Sequence, residues 1–124
     1  YNFLFYLGKK LIGYTLLRKR EYTIRSKEKS FFLLDTIIID KNYRSLQLGS
    51  KLIRDINNFI FKKKIISILY CKKNTVDFYK KNNWSVLPKK NIHSSFHKKN
   101  RHFLIFNKKI IRILKNDKIF FRLN

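Results

Sequence analysis

The chain of 124 residues is 44% hydrophobic and carries 30 Lys and Arg against 7 Asp and Glu, a formal net charge of +23. This length is enough for one domain with a hydrophobic core and too short for two. Such a charge can indicate a nucleic-acid partner, but the chain also has no Ala, no Met and 22 Lys against 8 Arg. This composition follows AT-rich codons, so we attribute much of the charge to codon bias and expect no specific nucleic-acid partner.

Cysteine content and hydropathy indicate the compartment. The single cysteine, Cys71, excludes an internal disulfide and fits a reducing compartment, so we expect a cytoplasmic protein. No apolar run approaches the ~20 residues that span a bilayer, and no signal-peptide pattern opens the chain, so we expect no membrane partner. The sequence starts at Tyr1 inside a strand-like run, and we expect that an N-terminal part precedes it.

The first third of the chain has the pattern of three strands. Two strand-like runs are separated by Gly8-Lys9-Lys10, which predicts an antiparallel hairpin. A charged stretch from Arg25 to Ser30 follows. The run "FFLLDTIIID" is then almost continuously apolar and β-branched, which predicts a central strand buried on both faces.

The remaining pattern alternates between helices and strands. From Leu48 onward, apolar residues recur at helical spacing, and the strand-like run from Ile65 to Cys71 follows, so the strand-helix-strand order predicts a parallel pair. Asn74 or Thr75 can cap a short helix through Asn82. Two further strands are expected over residues 84–87 and 103–106, while the tail of residues 107–124 fits either a helix or a strand.

The loop between the central strand and the first helix is a candidate phosphate site. A helix N-terminus presents unpaired backbone N–H groups and the positive end of the helix dipole. Arg44 adds charge, Gly49 permits close backbone approach, and Ser45 and Ser50 can donate hydroxyl hydrogens. An ordinary strand-to-helix connection with a solvated Arg44 is the alternative interpretation.

Two segments resemble the GNAT superfamily of acyl-CoA-dependent N-acyltransferases. The segment "RSLQLGS" resembles the superfamily's Arg/Gln-x-x-Gly-x-Gly/Ala signature through Arg44, Gly49 and the small Ser50, with Gln47 in place of the first glycine. The segment "ILYCKKNTVDFYKKNNW" resembles its later strand and helix through the pair Phe78-Tyr79 and Trp84, with an asparagine in place of glycine before the tryptophan.

This resemblance implies a fold, a cofactor and a reaction. The fold is an α/β (α+β) domain over residues 1–124 without the superfamily's N-terminal strand and helices: a mixed, mostly antiparallel sheet with a parallel strand pair at the cofactor site, flanked by helices. The co-substrate is acetyl-CoA and the acceptor is an amine. The backbone of Ile37, Ile38 and Ile39 is expected to hold the pantetheine arm. The pyrophosphate is expected on Arg44, Ser45, Leu46, Gln47, Leu48, Gly49 and Ser50.

Two residues are candidates for proton transfer. The superfamily places a tyrosine at the position of Tyr79, near the cofactor sulfur, where a phenol of pKa near ~10 can protonate a departing thiolate; the alternative is that Tyr79 only packs in the core. Asp35 is the one carboxylate in the apolar strand, where many relatives carry Glu. We expect it to be buried, with a raised pKa, and to act as the base; the alternative is an aspartate bonded to neighbouring backbone.

Other chemistry-bearing residues receive structural interpretations. Cys71 is expected to be a small core residue rather than a nucleophile. His93, His97 and His102 lie in a basic segment without further metal-type ligands nearby, so we assign no metal. The alternative function is a non-enzymatic basic module that binds RNA or a ribosome surface, which would not need Tyr79 or the segment from Arg44 to Ser50.

Overall fold

A mixed sheet with two helices on one face forms the framework of the computed structural model, which describes residues 1–94 and 100–123. Within these residues the strands are β1 (Asn2–Leu7), β2 (Lys10–Ile24), β3 (Lys27–Ile39), β4 (Ile66–Lys72), β5 (Ser85–Val86), β6 (Ile92–Ser94), β7 (Arg101–Phe106) and β8 (Ile119–Phe121). The helices are α1 (Leu48–Lys63) and α2 (Lys73–Lys81). Short 3₁₀ helices occupy Lys41–Leu46, Lys89–Asn91 and Lys108–Ile110.

Two hairpins join the first three strands. The first turn is at Gly8 and Lys9, where Gly8 has a φ of 61° that glycine adopts without strain, so the predicted hairpin is confirmed. The second turn contains only Arg25 and Ser26, both with positive φ. Most of the charged stretch from Arg25 to Ser30 is therefore strand, because the residues from Lys27 onward already pair with the end of β2.

The predicted fold class is confirmed, with β3 at the centre. The strand order is β5-β7-β4-β3-β2-β8-β6, and β1 also pairs with β2. Most neighbours are antiparallel, while β3 and β4 form the expected parallel pair. A second parallel pair joins β6 to β8 and was not predicted.

Both helices pack on the same face of the sheet and cover one of its two hydrophobic cores. The apolar face of α1 supplies the buried side chains Leu52, Ile53, Ile56 and Ile60. A Cβ at Gly13 of β2 would lie 2.9 Å from Leu52 Cδ1, so this glycine lets α1 approach the sheet closely. The predicted caps of α2 are wrong, because its N-cap is Lys72 and the Thr75 hydroxyl donates to the Lys72 carbonyl instead.

The C-terminal segment covers the opposite face of the sheet. The tail that fitted either a helix or a strand contains a 3₁₀ turn and then β8, which pairs with the end of β2. Its side chains Ile111, Ile119 and Phe121 join the second core. Asn91, itself buried, donates from its side-chain amide to the carbonyls of residues 114, 115 and 117 and so anchors this segment. Across the described ranges, no helix has the length and apolar character to cross a bilayer.

Candidate active site

The parallel strands β3 and β4 separate after three pairs of residues. They pair at Phe31–Ile66, Phe32–Ser67 and Leu33–Ile68, and the buried Ser67 hydroxyl donates to the Phe32 carbonyl at 2.8 Å. Beyond this point β3 continues to Ile39 alongside β2, while β4 continues to Lys72 alongside β7. The sheet is therefore split between β3 and β4 at their carboxyl ends, and we call this opening the cleft.

A β-bulge in β3 marks the start of the cleft. Leu17 of β2 pairs with Leu34 and Leu16 pairs with Thr36, so Asp35 has no partner on β2. A bulge adds one residue to a strand, bends it and increases its twist. The bulge at Asp35 comes two residues after Leu33, the last residue that pairs with β4, so the bend that a bulge introduces explains why the pairing of β3 with its parallel neighbour ends here.

The residues expected to hold the pantetheine arm line the cleft. Ile37, Ile38 and Ile39 pair with β2 on one side, and none of the described residues pairs with them on the side of β4. Ile37 packs on the core beneath the helices, whereas Ile38 is 53% exposed on the other face. The backbone groups on the open edge can bond an extended ligand as an added strand would.

The predicted phosphate loop leads from the cleft into α1. Asp40 caps the 3₁₀ helix by accepting from the Asn42 N–H at 2.9 Å, and the backbone of Ser45 and Leu46 belongs to that helix. Arg44 donates from Nε to the Ile39 carbonyl at 3.0 Å, which places this guanidinium beside the end of β3.

The N-terminus of α1 is open. Its N-cap, Gln47, makes no side-chain capping bond, and the first turn contains no acidic residue. The backbone N–H groups of Leu48, Gly49 and Ser50 are consequently available to an anion. Gln47 adopts a φ of 56°, which is the left-handed conformation that a glycine at this motif position would take without strain.

Gly49 has a packing role that the motif did not reveal. A Cβ at this position would lie 3.3 Å from Ile39 Cδ1 and 3.5 Å from the Phe78 ring. The missing side chain thus permits close contact between the first turn of α1, the end of β3 and α2. The expectation that Gly49 also lets the backbone approach the ligand closely stays a prediction beside this packing role.

Tyr79 lies on α2, the helix that directly follows β4. Its ring packs edge-on against Phe78 and Trp84, with centroid distances of 5.1 and 6.1 Å. Burial raises the pKa of Tyr79 to about 12, and the neighbouring Cys71 adds to the effect. No partner of its hydroxyl lies among the described residues, so a protonated phenol is available to donate a hydrogen bond at neutral pH.

Asp35 differs from the prediction in its surroundings. Its carboxylate Oδ2 lies 2.7 Å from Arg18 Nε, and the two side chains are 28% and 45% exposed. The expected burial is wrong, because the bulge turns this residue away from the paired core of β3. Arg18 was not singled out from the sequence: it lies 17 residues away on β2, and no local pattern signals a cross-strand partner.

Cys71, His93 and His102 have structural surroundings and no role in the proposed reaction. Cys71 is buried in the core beneath the helices, as expected for a core residue. His93 stacks on Phe120 at 4.6 Å and His102 pairs with Cys71 across strands, while His97 lies outside the described residues. In the described part of the chain, no three His, Cys, Asp or Glu side chains come together as a metal site would require.

Comparisons of the sequence and of the fold with known proteins both point to acetyltransferases. The model of the acetyltransferase (GNAT) family matches residues 1–84, and no curated protein sequence matches the chain. A mutant of the toxin AtaT, solved with acetyl-CoA and the C-terminus of the antitoxin AtaR, is similar with a TM-score of 0.60 and 18% identity, over 81% of this chain and 61% of that chain.

Two enzymes of named bacteria have a similar fold. The ribosomal-protein-S18-alanine N-acetyltransferase from Escherichia coli has a TM-score of 0.63 and 12% identity, over 86% of this chain and 67% of that chain. A GNAT acetyltransferase from Staphylococcus aureus Mu50 has a TM-score of 0.59 and 20% identity, over 85% of this chain and 65% of that chain. The chain thus spans about two thirds of the length of these proteins.

Proposed function

The chain belongs to the acetyltransferase (GNAT) family, whose model matches residues 1–84, and we propose that it transfers an acetyl group from acetyl-CoA to a primary amine. The observation that carries this proposal is the cleft between β3 and β4, with the open N-terminus of α1 at its mouth. The single cysteine, which remains a thiol, supports the reducing cytoplasm as the place of this reaction.

The cleft and the helix terminus fit different parts of acetyl-CoA. The pantetheine arm carries amide groups that can bond the unpaired backbone edge of Ile37, Ile38 and Ile39, as an added strand would. The pyrophosphate fits the N–H groups of residues 48–50, with Arg44 nearby to add charge. These two subsites are adjacent because the 3₁₀ helix joins the end of β3 directly to α1.

Tyr79 supplies the acid in this proposal. A neutral amine attacks the thioester carbonyl, the carbon–sulfur bond breaks, and the thiolate leaves with the electron pair. With a pKa of about 12, well above the ~8.5 of a thiol, the phenol stays protonated and stabilises the thiolate by donating a hydrogen bond. Because the phenol is the weaker acid, it keeps its proton and acts as the hydrogen-bond donor that stabilises the leaving thiolate, which then takes its own proton from bulk water.

Asp35 is proposed as the acceptor of the proton that the amine loses. It stands at the start of the cleft, where β3 leaves β4. Its side chain pairs with Arg18 and is partly exposed to solvent, so a water molecule between the amine and Asp35 can relay the proton.

Thermal unfolding with added ligands tests this proposal. A ligand that binds only the native state stabilises it by about 2.7 kcal/mol at a hundredfold excess over its Kd. Because a chain of charge +23 attracts any polyphosphate, ATP at the same concentration is the control. We expect acetyl-CoA to raise the Tm more than ATP, and pantetheine alone to raise it slightly, since only the pantetheine arm can occupy the cleft.

Release of free coenzyme A then tests the chemistry. Wild-type protein should release the thiol from acetyl-CoA in the presence of a suitable amine, and slowly by hydrolysis without one. Equal stabilisation by ATP and acetyl-CoA, together with no thiol release, would contradict the proposal and favour a basic module that binds polyanions.

A further inference from the structure

We propose that Asn57 is a positioning residue: from the middle of α1 it holds the turn that follows α2, and through that turn it fixes the place of Tyr79. This inference rests on the role proposed for Tyr79 and assigns a function to a polar residue that the chemistry does not itself use. Asn57 is only 6% exposed and lies among the apolar residues by which α1 packs on the sheet.

The Asn57 side chain bonds two groups of the turn after α2. Its Oδ1 accepts from the Trp84 indole Nε1–H at 2.9 Å, and its Nδ2 donates to the Asn82 carbonyl at 2.7 Å. The two partners fix the orientation of the amide, because the indole can only donate and the carbonyl can only accept. Residues 25 and 27 positions away in the sequence are thereby tied to α1.

The same turn is bonded to Tyr79. The Tyr79 carbonyl accepts from the backbone N–H of Asn82 at 3.0 Å and of Trp84 at 3.1 Å. The Asn82 side chain donates to the Phe78 carbonyl at 2.9 Å, and the Trp84 ring packs against the Tyr79 ring. Both residues that Asn57 holds, Asn82 and Trp84, therefore contact Tyr79 directly through other groups.

A second contact joins the two helices at the phosphate end. Gly49, in the first turn of α1, faces the Phe78 ring closely. Gly49 and Asn57 are eight residues apart, or about 12 Å along the helix axis. Two contacts at this separation define both the position and the angle of α2 relative to α1, so the helix that binds the pyrophosphate also orients the helix that carries the acid.

A hydrogen-bonded asparagine gives directional control that an apolar residue cannot. Packing alone tolerates small rotations of α2, whereas two hydrogen bonds of fixed direction do not. Removing the amide leaves a buried indole N–H and a partly buried carbonyl without partners, and each unsatisfied group is costly. The turn is then expected to shift until these groups find water, and Tyr79 shifts with it.

The test compares Asn57→Ala with Asn91→Ala. Asn91 is a matched control because it is also buried and also bonds backbone carbonyls, but in the C-terminal segment rather than beside α2. Coenzyme A release from acetyl-CoA is measured at a temperature where both variants are folded. We expect Asn57→Ala to lower kcat by roughly ten- to a hundredfold with KM for acetyl-CoA changed little, and Asn91→Ala to leave kcat unchanged.

A double-mutant cycle separates positioning from general loss of stability. In a Tyr79→Phe background the acid is already absent, so Asn57→Ala should change kcat by less than about twofold. The same fold-loss in both backgrounds would overturn the proposal. If Asn57→Ala does not fold, Trp84→Phe is the second variant, because it removes the indole N–H that donates to Asn57. It should lower kcat in the wild-type background and change it little in the Tyr79→Phe background.

A readout without turnover distinguishes failure of this inference from failure of the proposed function. The ¹³Cζ signal of Tyr79, assigned by its loss in Tyr79→Phe, should shift in Asn57→Ala and titrate at lower pH than in wild type. It should stay in place in Asn91→Ala. An unmoved Tyr79 signal in folded Asn57→Ala overturns the inference. A wild-type protein that neither binds nor cleaves acetyl-CoA overturns only the proposed function, and the NMR experiment then still decides whether Asn57 positions Tyr79.

Discussion

The two halves of β3 have similar composition and opposite environments. Residues 31–34 are all buried, paired with β2 on one side and, through Leu33, with β4 on the other. Residues 37–39 are equally apolar, but within the described part of the chain only β2 pairs with them, and Ile38 is exposed. The first half of β3 thus belongs to the core, and the second half forms one wall of the cleft. The bulge residue Asp35 separates the two halves, whereas their hydrophobicity is the same.

Loss of the Tyr79 hydroxyl is expected to have the largest effect of the variants considered. It should lower turnover in the cleft and leave the stability of the paired half of β3 unchanged. Tyr79→Phe keeps the ring contacts with Phe78 and Trp84, so folding and coenzyme A affinity should change little. Turnover, measured as thiol release, should fall by roughly 10²–10⁴-fold, as for loss of one positioned acid. An unchanged turnover number would show that Tyr79 only packs in the core.

Truncations in the two halves should differ in stability. Leu33→Ala empties a buried site in the paired half and should lower the free energy of unfolding by about 2–5 kcal/mol. Ile38→Ala removes a side chain that is already 53% exposed and should cost less than about 1 kcal/mol. Denaturant unfolding of both variants checks this contrast, and equal losses would mean that the cleft is closed in solution.

Alkaline pH should destabilise the wild type relative to Tyr79→Phe. The folded-state pKa of Tyr79, about 12, lies above the ~10 of an unfolded tyrosine, so its contribution to stability is complete below pH 10 and is lost as the pH rises through 12. Linkage gives a difference of about 1.4 kcal/mol between pH 9 and 11. Parallel pH profiles for the two proteins would show that Tyr79 is solvated rather than buried.

Relief of backbone strain beside the cleft should have the smallest effect. Gln47 has a φ of 56° at the N-terminus of α1, and Lys64 has a φ of 57° at its C-terminus. Either residue replaced by glycine should stabilise the protein by about 1 kcal/mol or less. Only Gln47→Gly should also alter coenzyme A affinity, because Lys64 lies at the far end of the helix; equal effects of both variants on affinity would argue against an anion site at Gln47.

The sequence predicted the elements around the cleft because their patterns are local. The periodicity of α1, the apolar run of β3 and the segment at Phe78 and Tyr79 each signal structure within a few residues. The bulge was missed because a strand that is apolar on both faces shows no alternation for an added residue to interrupt.

Other features depended on contacts between distant segments. The Arg18–Asp35 ion pair and the docking of β8 against β2 join residues far apart in the sequence. The turn at Arg25 and Ser26 adopts positive φ without glycine or asparagine, so it lacked the usual signal of a tight hairpin. These features arise from tertiary packing and could not be predicted from local pattern.

Amide hydrogen exchange with and without acetyl-CoA tests most directly whether the open half of β3 is the acyl-CoA site. We expect acetyl-CoA to slow exchange at residues 36–39 and 48–50 and to leave it unchanged at residues 31–34, which are already buried and paired. ATP at the same concentration should slow exchange at residues 48–50 alone. Protection that is identical for both ligands, or that leaves residues 36–39 unchanged, would contradict the assignment of this cleft.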